Sequence, residues 1–540
     1  MAEFKNEFTF RKFSEEGRES DFNSLFERAV DEAERDWLGR EYPLYIGDRK
    51  ITLDSKLTER SPIDGRVICT CQKAGREETR LAVESALRAF DKWQGLGYIK
   101  RSRLMMKAAD LFSKNKFLLS AVLSIENGKN RLESMGEVDE AIDFLRYYSL
   151  QMLKNKGYSE SVYLHGSRVK VKLGFHGSPG RGERVSHLMK PYGVFGVIAP
   201  FNFPVSISTG MSSGAMITGN TVVFKPSSTG NMSMLSGVLL YHLFTDAGIP
   251  PGVFNYVSGP GAVVGDELAT NSTVSGIVFT GSMEVGMGMI SKSYSLGQNK
   301  EFIVEMGGKN STIVSDGADL EGAAAGVVAA AFGFGGQKCS ALSRVYVQND
   351  VSERFMKLLI QNAREIKVGN PLERDVYMGP LISREAYERF EWALNLAGRD
   401  GKVIFGGRAL KTGLDGYYVE PTIVKLSHGH ELYRKELFLP FLLVDSYESF
   451  EDALRMANDS QYGLTAGLYS RKKSEIAIFK NKISAGVVYI NRYSSATTGA
   501  IVGFHPFVGW KGSGTSGKGT GGRYYLLQFL REQSISESAA

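Results

Sequence analysis

From residue 76 to about 155, apolar residues recur every three to four positions, with few Gly or Pro to interrupt them. The runs ETRLAVESALRAFDKW, SRLMMKAADLFSKNKFLLSAVLSIENGK and SMGEVDEAIDFLRYYSLQML predict three amphipathic helices. A similar pattern from Asp21 to Leu38 predicts a helix within a charged N-terminal arm, residues 1–50, lying on the main body. Beyond residue 190 the rhythm changes. Short apolar segments at 193–199, 221–225, 253–257, 276–279 and 301–305 alternate with helix-compatible stretches such as SMLSGVLLYHLFTDAG. That alternation predicts an α/β fold with a parallel, doubly wound open sheet. A second βα series starts near residue 311 and runs to about 490. Residues 160–190 alternate like a hairpin, and the tail from 491 to 540 is Gly-rich, then helical or extended. Both are out of step with either sheet, so an inter-subunit arm is expected.

Composition narrows the picture. A chain of 540 residues predicts two or three domains, and 43% hydrophobic residues suffice for ordinary globular cores. The net charge of +6 comes from interleaved signs, which argues against a nucleic-acid partner. Three cysteines do not make a disulfide framework. Cys69 and Cys71 fall on one face of a predicted strand with no further ligands near, so they read as structural and no metal site is expected. The N-terminus has no apolar signal region, and no run of 18 apolar residues exists. A soluble, cytoplasmic protein without a membrane partner is the expectation.

The carboxyl ends of the predicted strands carry the chemistry, because open α/β sheets bind ligands there. They read APFNFP, KPSS, SGPG, TGSMEVG and EMGGK. Gly281, Ser282 and Gly286 follow a strand and open a helix, where backbone N–H groups and a hydroxyl can meet a phosphate; an ordinary turn is the competing reading. Lys225 ends a buried strand, suited to ribose or phosphate. Glu305 also ends a strand, where partial burial would raise its pKa and suit it to general-base work. Asn202 lies on a turn between aromatics and prolines, and its amide could stabilise an oxyanion. Cys339 sits among Gly and small or polar residues in FGFGGQKCSALSR, a setting for a nucleophile rather than for packing.

PFNFP, FKPSS, FTGSMEVG, EMGGKN, FGFGGQKC and ELFLPF, in this order, resemble the aldehyde dehydrogenase superfamily over about residues 40–535. The resemblance implies a Rossmann-like dinucleotide-binding domain (51–158 and 186–305), a catalytic domain (306–490) and an oligomerisation arm with C-terminal tail (159–185 and 491–540). It implies that Cys339 attacks the aldehyde, that Asn202 and the Cys339 N–H hold the oxyanion, and that Glu305 activates the hydrolytic water. Lys225 and Glu436 would hold the riboses of NAD or NADP and Ser282 the pyrophosphate, with Phe438 beside them. Ser228 stands where many NAD-using relatives carry Glu, which would relax exclusion of a 2′-phosphate and admit NADP.

REYPLYIGDRK, GQKCSALSRVYV and YINRYSSATTGAIVGFHPF resemble the branch of that family that oxidises glutamate γ-semialdehyde in proline degradation. That likeness implies Gly499, Ala500 and Ser340 at the substrate carboxylate and Glu140 near its ammonium, with Lys338 as the ion-pair partner of Glu140. Phe203 and Phe507 would flank the aliphatic stem. Leu439 and Val508 stand where the family has Gly. The alternatives are an enzyme for another semialdehyde or general aldehyde, a phosphorylating or CoA-acylating relative, and a non-catalytic structural relative. The last would lack Cys339 or Glu305. A homo-oligomer is expected.

Overall fold

The computed structural model describes residues 4–164, 183–228 and 233–538. Two seven-stranded sheets organise the chain. In the first, the spatial order of strands is Glu301–Glu305, Val274–Thr280, Val194–Ile198, Thr221–Lys225, Phe254–Tyr256, Leu44–Ile46 and Arg49–Ile51. The first five are parallel; the last two join antiparallel, through Tyr256 opposite Tyr45 and Leu44 opposite Ile51. The five parallel strands match the apolar runs, because a strand covered on both faces is apolar at successive positions. Leu44–Ile46 is fully buried, so this part of the expected N-terminal arm belongs to the sheet.

The helical region has four helices rather than three: Arg76–Gly95, Gly97–Lys114, Lys116–Asn127 and Arg131–Lys154. The second predicted helix breaks at Asn115, whose amide donates to the Leu111 carbonyl. An Asn side chain competes with the helix for backbone partners, which ends one helix and starts the next.

The second sheet runs in the order Lys402–Phe405, Thr422–Lys425, Phe441–Tyr447, Leu342–Gln348, Asn310–Val314, Thr465–Tyr469 and Val487–Ile490. Only its first strand is antiparallel to its neighbour. The hairpin and the tail form a third, three-stranded sheet together. Glu183–Pro191 lies between Glu160–Leu164 and Leu530–Ser538, antiparallel to both. The rest of the predicted arm, 165–182, lies outside the described residues. Cys69 and Cys71 are buried on one strand with their sulfurs 3.9 Å apart, and the Cys69 thiol donates to Glu59 at 3.3 Å. No helix among the described residues is long and apolar enough to cross a membrane.

Candidate active site

The carboxyl ends of the first sheet's strands face the amino ends of the second sheet's strands. The strand order of the first sheet reverses beside Val194–Ile198, which is where such sheets open a ligand crevice. Glu305 ends one strand and is followed by Met306, Gly307 and Gly308, which lead into the second sheet. A Cβ on Gly307 would overlap the Glu436 carboxylate, and one on Gly308 would overlap the Cys339 carbonyl. This glycine pair therefore brings a strand end, the nucleophile turn and the 436–438 loop into contact.

Cys339 follows a tight turn in which Phe334, Gly335 and Gly336 all have positive φ (52°, 59° and 67°). At Gly336 no larger residue fits, because a Cβ would run into the Leu439 backbone. The turn is braced from the second sheet. Asn310 Nδ2 donates to the carbonyls of Cys339 (2.7 Å) and Ala341 (2.9 Å), and Asn310 Oδ1 accepts from the Thr465 N–H at 3.0 Å. Thr497 Oγ1 donates to the Ser340 carbonyl at 2.7 Å. The thiol is only partly buried. Its pKa lies above the ordinary thiol range, first from desolvation and then from the charges of Glu305 and Glu436, which puts both carboxylates in its electrostatic neighbourhood. Burial also raises Glu305 to about 7, against hydrogen bonding to Thr520. The Thr520 hydroxyl donates to Glu305 Oε1. Residues 507 and 520 exchange backbone hydrogen bonds (2.9 and 2.8 Å), so Phe507 lies beside that pair. Asn202 is buried, and its amide makes no hydrogen bond to the protein among the described residues. A buried amide left free is one that can serve a ligand.

The surroundings fit a dinucleotide. A cavity of about 990 Å³ opens between the sheets, lined by Ser282, Met283, Arg389, Trp392, Glu436 and Tyr462 among others. Ser282 caps the helix Met283–Ser295, accepting from the Val285 N–H at 3.3 Å. Its hydroxyl proton and the helix's first N–H groups stay available to a phosphate. At Gly286 a Cβ would come within 2.9 Å of Val304, so glycine lets that helix lie close on the sheet, directly after Gly281 and Ser282. Lys225 Nζ is buried with no carboxylate partner, which lowers it to about 8. Among the described residues it donates only to the Pro226 carbonyl (2.9 Å) and Ser228 Oγ (3.3 Å). Glu436 accepts from the Gly308 N–H at 2.8 Å and is raised to about 7 by burial. Phe438, in the left-handed region at φ 59°, packs edge-on to Phe201 at 5.8 Å. The Leu439 side chain is buried in the apolar core of the second sheet, so this departure from the family's glycine faces away from the crevice.

The residues expected at the substrate's far end are only partly assembled as predicted. Lys338 Nζ pairs with Glu133 Oε1 at 2.6 Å, not with Glu140. Glu140 instead lies near Glu137 and Lys129 and is raised to about 7, chiefly by burial. Lys129 and Glu137 form a fully buried ion pair, and Lys129 Nζ sits 3.5 Å above the Phe203 ring. Glu137 Oε1 also accepts from the N–H groups of Val205 (2.7 Å) and Ser206 (3.2 Å), which pins the loop carrying Asn202 and Phe203. Gly499 has φ 81°, and its carbonyl accepts from the Arg492 guanidinium at 2.6 Å, with Ala500 next in the loop. Sequence reasoning missed Glu133, Glu137, Lys129, Asn310 and Thr520.

The model of the Aldehyde dehydrogenase family matches residues 51–535. This chain belongs to that family. It is 36% identical over 518 residues to 1-pyrroline-5-carboxylate dehydrogenase 1 of Halalkalibacterium halodurans, covering 95% of this chain and 96% of the relative. The corresponding enzyme of Bacillus licheniformis is 35% identical over 518 residues, with 95% and 96% covered. Among solved structures, the Thermus 1-pyrroline-5-carboxylate dehydrogenase with bound NAD has a TM-score of 0.89 at 35% identity and covers 99% of both chains. Family membership agrees with the nucleophile turn, the free Asn202 amide and the crevice beside Lys225. The chain is thus an aldehyde dehydrogenase with the family's α/β fold, taking a nicotinamide dinucleotide and a small-molecule substrate.

Proposed function

We propose that this aldehyde dehydrogenase oxidises L-glutamate γ-semialdehyde, the open form of 1-pyrroline-5-carboxylate, to L-glutamate. The observation that carries this reading is the pairing of opposite charges at the far end of the site. Glu133, held by Lys338 one residue from the nucleophile, presents a carboxylate to an α-ammonium. The left-handed Gly499 and the small Ala500 let backbone N–H groups approach an α-carboxylate, with Ser340 tied to the same loop through Thr497. Phe203 and Phe507 flank the stem between them. Relatives with that printed activity, similar over nearly the whole chain, support it.

The steps follow from the side chains. The Cys339 thiol gives its proton to solvent, its sulfur attacks the aldehyde carbon, and the Asn202 amide and the Cys339 N–H receive the oxyanion of the thiohemiacetal. Lys225, Ser282 and Glu436 would hold the ribose and pyrophosphate groups of a nicotinamide dinucleotide, which would accept the hydride that leaves the substrate carbon. Collapse of the oxyanion leaves a thioester on Cys339. Glu305 takes a proton from the attacking water, glutamate leaves, and the thiolate is restored. The deciding assay is reduced-cofactor formation with pyrroline-5-carboxylate beside acetaldehyde and succinate semialdehyde. Pyrroline-5-carboxylate is expected to win by at least about tenfold in kcat/KM, the scale of one charged contact. Equal turnover of all three would remove the substrate reading.

NADP is accepted beside NAD on this reading. Ser228 offers a hydroxyl and no charge to a ribose 2′-phosphate, and Lys225 lies 3.3 Å from it. A carboxylate there would repel the phosphate. The expected kcat/KM values for NAD and NADP lie within about tenfold of one another, and a strong NAD preference defeats this point.

The three-stranded sheet is read as an interface between copies of this chain. Among the described residues Leu530–Ser538 is an edge strand of its sheet and residues 531–537 are exposed, which leaves that edge open to pairing. Light scattering is expected to return at least the mass of a dimer, and the mass of one chain would remove the reading.

A further inference from the structure

Residues 4–9 lie across the helix Arg131–Lys154, which carries Glu133, Glu137 and Glu140, and reach the loop that follows Gly499 and Ala500. The Asn6 side chain is the joint between them. Its Nδ2 donates to Asp143 Oδ2 at 2.7 Å and to the Val502 carbonyl at 3.0 Å, so both amide protons are used. Among the described residues the Val502 carbonyl accepts from no other group.

The segment is tied down on both sides of Asn6. The Glu7 N–H donates to Asp143 Oδ1 at 2.8 Å, and the Thr9 N–H and hydroxyl each donate to Asp139 at 2.7 Å. The Glu7 carboxylate is held by Arg146 (2.6 Å), Lys12 (3.2 Å) and Lys116 (3.4 Å). Phe4 packs edge-on against Tyr147 at 5.1 Å. Gly503, with φ 84°, lies beneath those two rings, and a Cβ there would stand 3.0 Å from Phe4 and 3.1 Å from Tyr147. Asp139 and Asp143 are buried, and their carboxylates accept from residues 6–9. Losing those donors would leave them poorly compensated, a costly state for a buried carboxylate. The segment is therefore a built contact, not a chain end resting on a surface.

The loop has other holds as well, the Val502 side chain being buried in the core beside Phe144 and Tyr148. Arg492 grips the Gly499 carbonyl, the Ile501 N–H donates to His505 Nδ1 at 3.2 Å, and the Gly503 N–H donates to the Gly521 carbonyl at 2.9 Å. Between these points, Asn6 joins the loop to the helix on the ammonium side of the site.

We propose that residues 4–9 form a strap that sets the distance between the two substrate-gripping elements, with Asn6 as the positioning residue that gives preference to aldehydes bearing a carboxylate. The proposal rests on the reading that Gly499 and Ala500 receive that carboxylate. A loop that sags away from the helix loses reach for the carboxylate, while the reacting carbon still meets Cys339, Asn202 and Glu305. The penalty therefore falls on KM for one class of substrate.

The test measures KM and kcat of full-length Asn6→Leu with pyrroline-5-carboxylate and with propanal, which has no carboxylate. The loss of one hydrogen-bonded joint raises KM for pyrroline-5-carboxylate about threefold to tenfold, with kcat held within about twofold. Both constants for propanal stay at the parent values. Asn6→Gln, which keeps the amide, recovers part of the loss, and Asn6→Ser gives the same comparison should leucine not be accommodated. Equal losses on both substrates, or no change on either, overturn the strap. Gly499→Ala separates this failure from that of the underlying reading. If Gly499→Ala lowers the preference for pyrroline-5-carboxylate and Asn6→Leu does not, the strap is wrong. If Gly499→Ala leaves that preference intact, the carboxylate reading itself has failed.

Discussion

Cys339→Ala is expected to bind cofactor as the parent does and to form no reduced cofactor with any aldehyde. Without the sulfur there is no thiohemiacetal, and a hydrated aldehyde is the only hydride donor left. The nucleophile acts as a unit with Asn202 and Glu305, so its loss should lower kcat by at least about 10³-fold. The thiol is partly buried and braced through carbonyls, by Asn310 to Cys339 and Thr497 to Ser340, contacts that alanine keeps. The fold and the cofactor crevice should therefore survive, as quenching of tryptophan fluorescence on titration with NAD would show. Turnover within tenfold of the parent would remove covalent catalysis from this site.

Glu305→Gln separates the two halves of the reaction. Acyl-enzyme formation needs Cys339 and the oxyanion donors, whereas hydrolysis needs a base for water. A stopped-flow trace should show one equivalent of reduced cofactor per site, followed by a steady state slower by about 10²–10⁴-fold, the usual worth of a general base. The pH profile gives an independent reading. Burial raises the folded Glu305 to about 7, so the carboxylate is protonated below that value and ionised above it. A base must be ionised, so the parent's hydrolytic rate falls as pH drops through about 7, and the Gln variant loses that inflection. A burst-free trace with normal steady-state turnover would show that another group activates the water.

Much of the fold was legible because buried parallel strands are apolar at successive positions. The segments expected at 193–199 and 301–305 became Val194–Ile198 and Glu301–Glu305. The short strands at 44–51 were not legible, since three residues carry too little periodicity to separate a sheet edge from an arm. Cys339 stood out because glycine and small polar flanks are unusual around a packing cysteine. The partner of Lys338 was misread for a geometric reason. Glu133, Glu137 and Glu140 are spaced i, i+4 and i+7 and share one helix face, so spacing alone does not say which of them meets a lysine 205 residues from the first. Thr520 and Asn6 carry no local signal at all. Their importance comes from groups more than 130 residues distant, Glu305 for the first and Asp143 and Val502 for the second.

The third sheet and the segment after Gly499 have one more consequence, for how the molecule is made. A ribosome releases Cys339, Glu305 and the cofactor crevice well before the last forty residues of the chain. Thr520, which holds the general base, and the strand that closes against Glu183–Pro191 emerge after them. A nascent or prematurely terminated polypeptide thus carries a thiol without its finished hydrolytic apparatus. What such a polypeptide lacks is release of the acyl group rather than capture of the aldehyde.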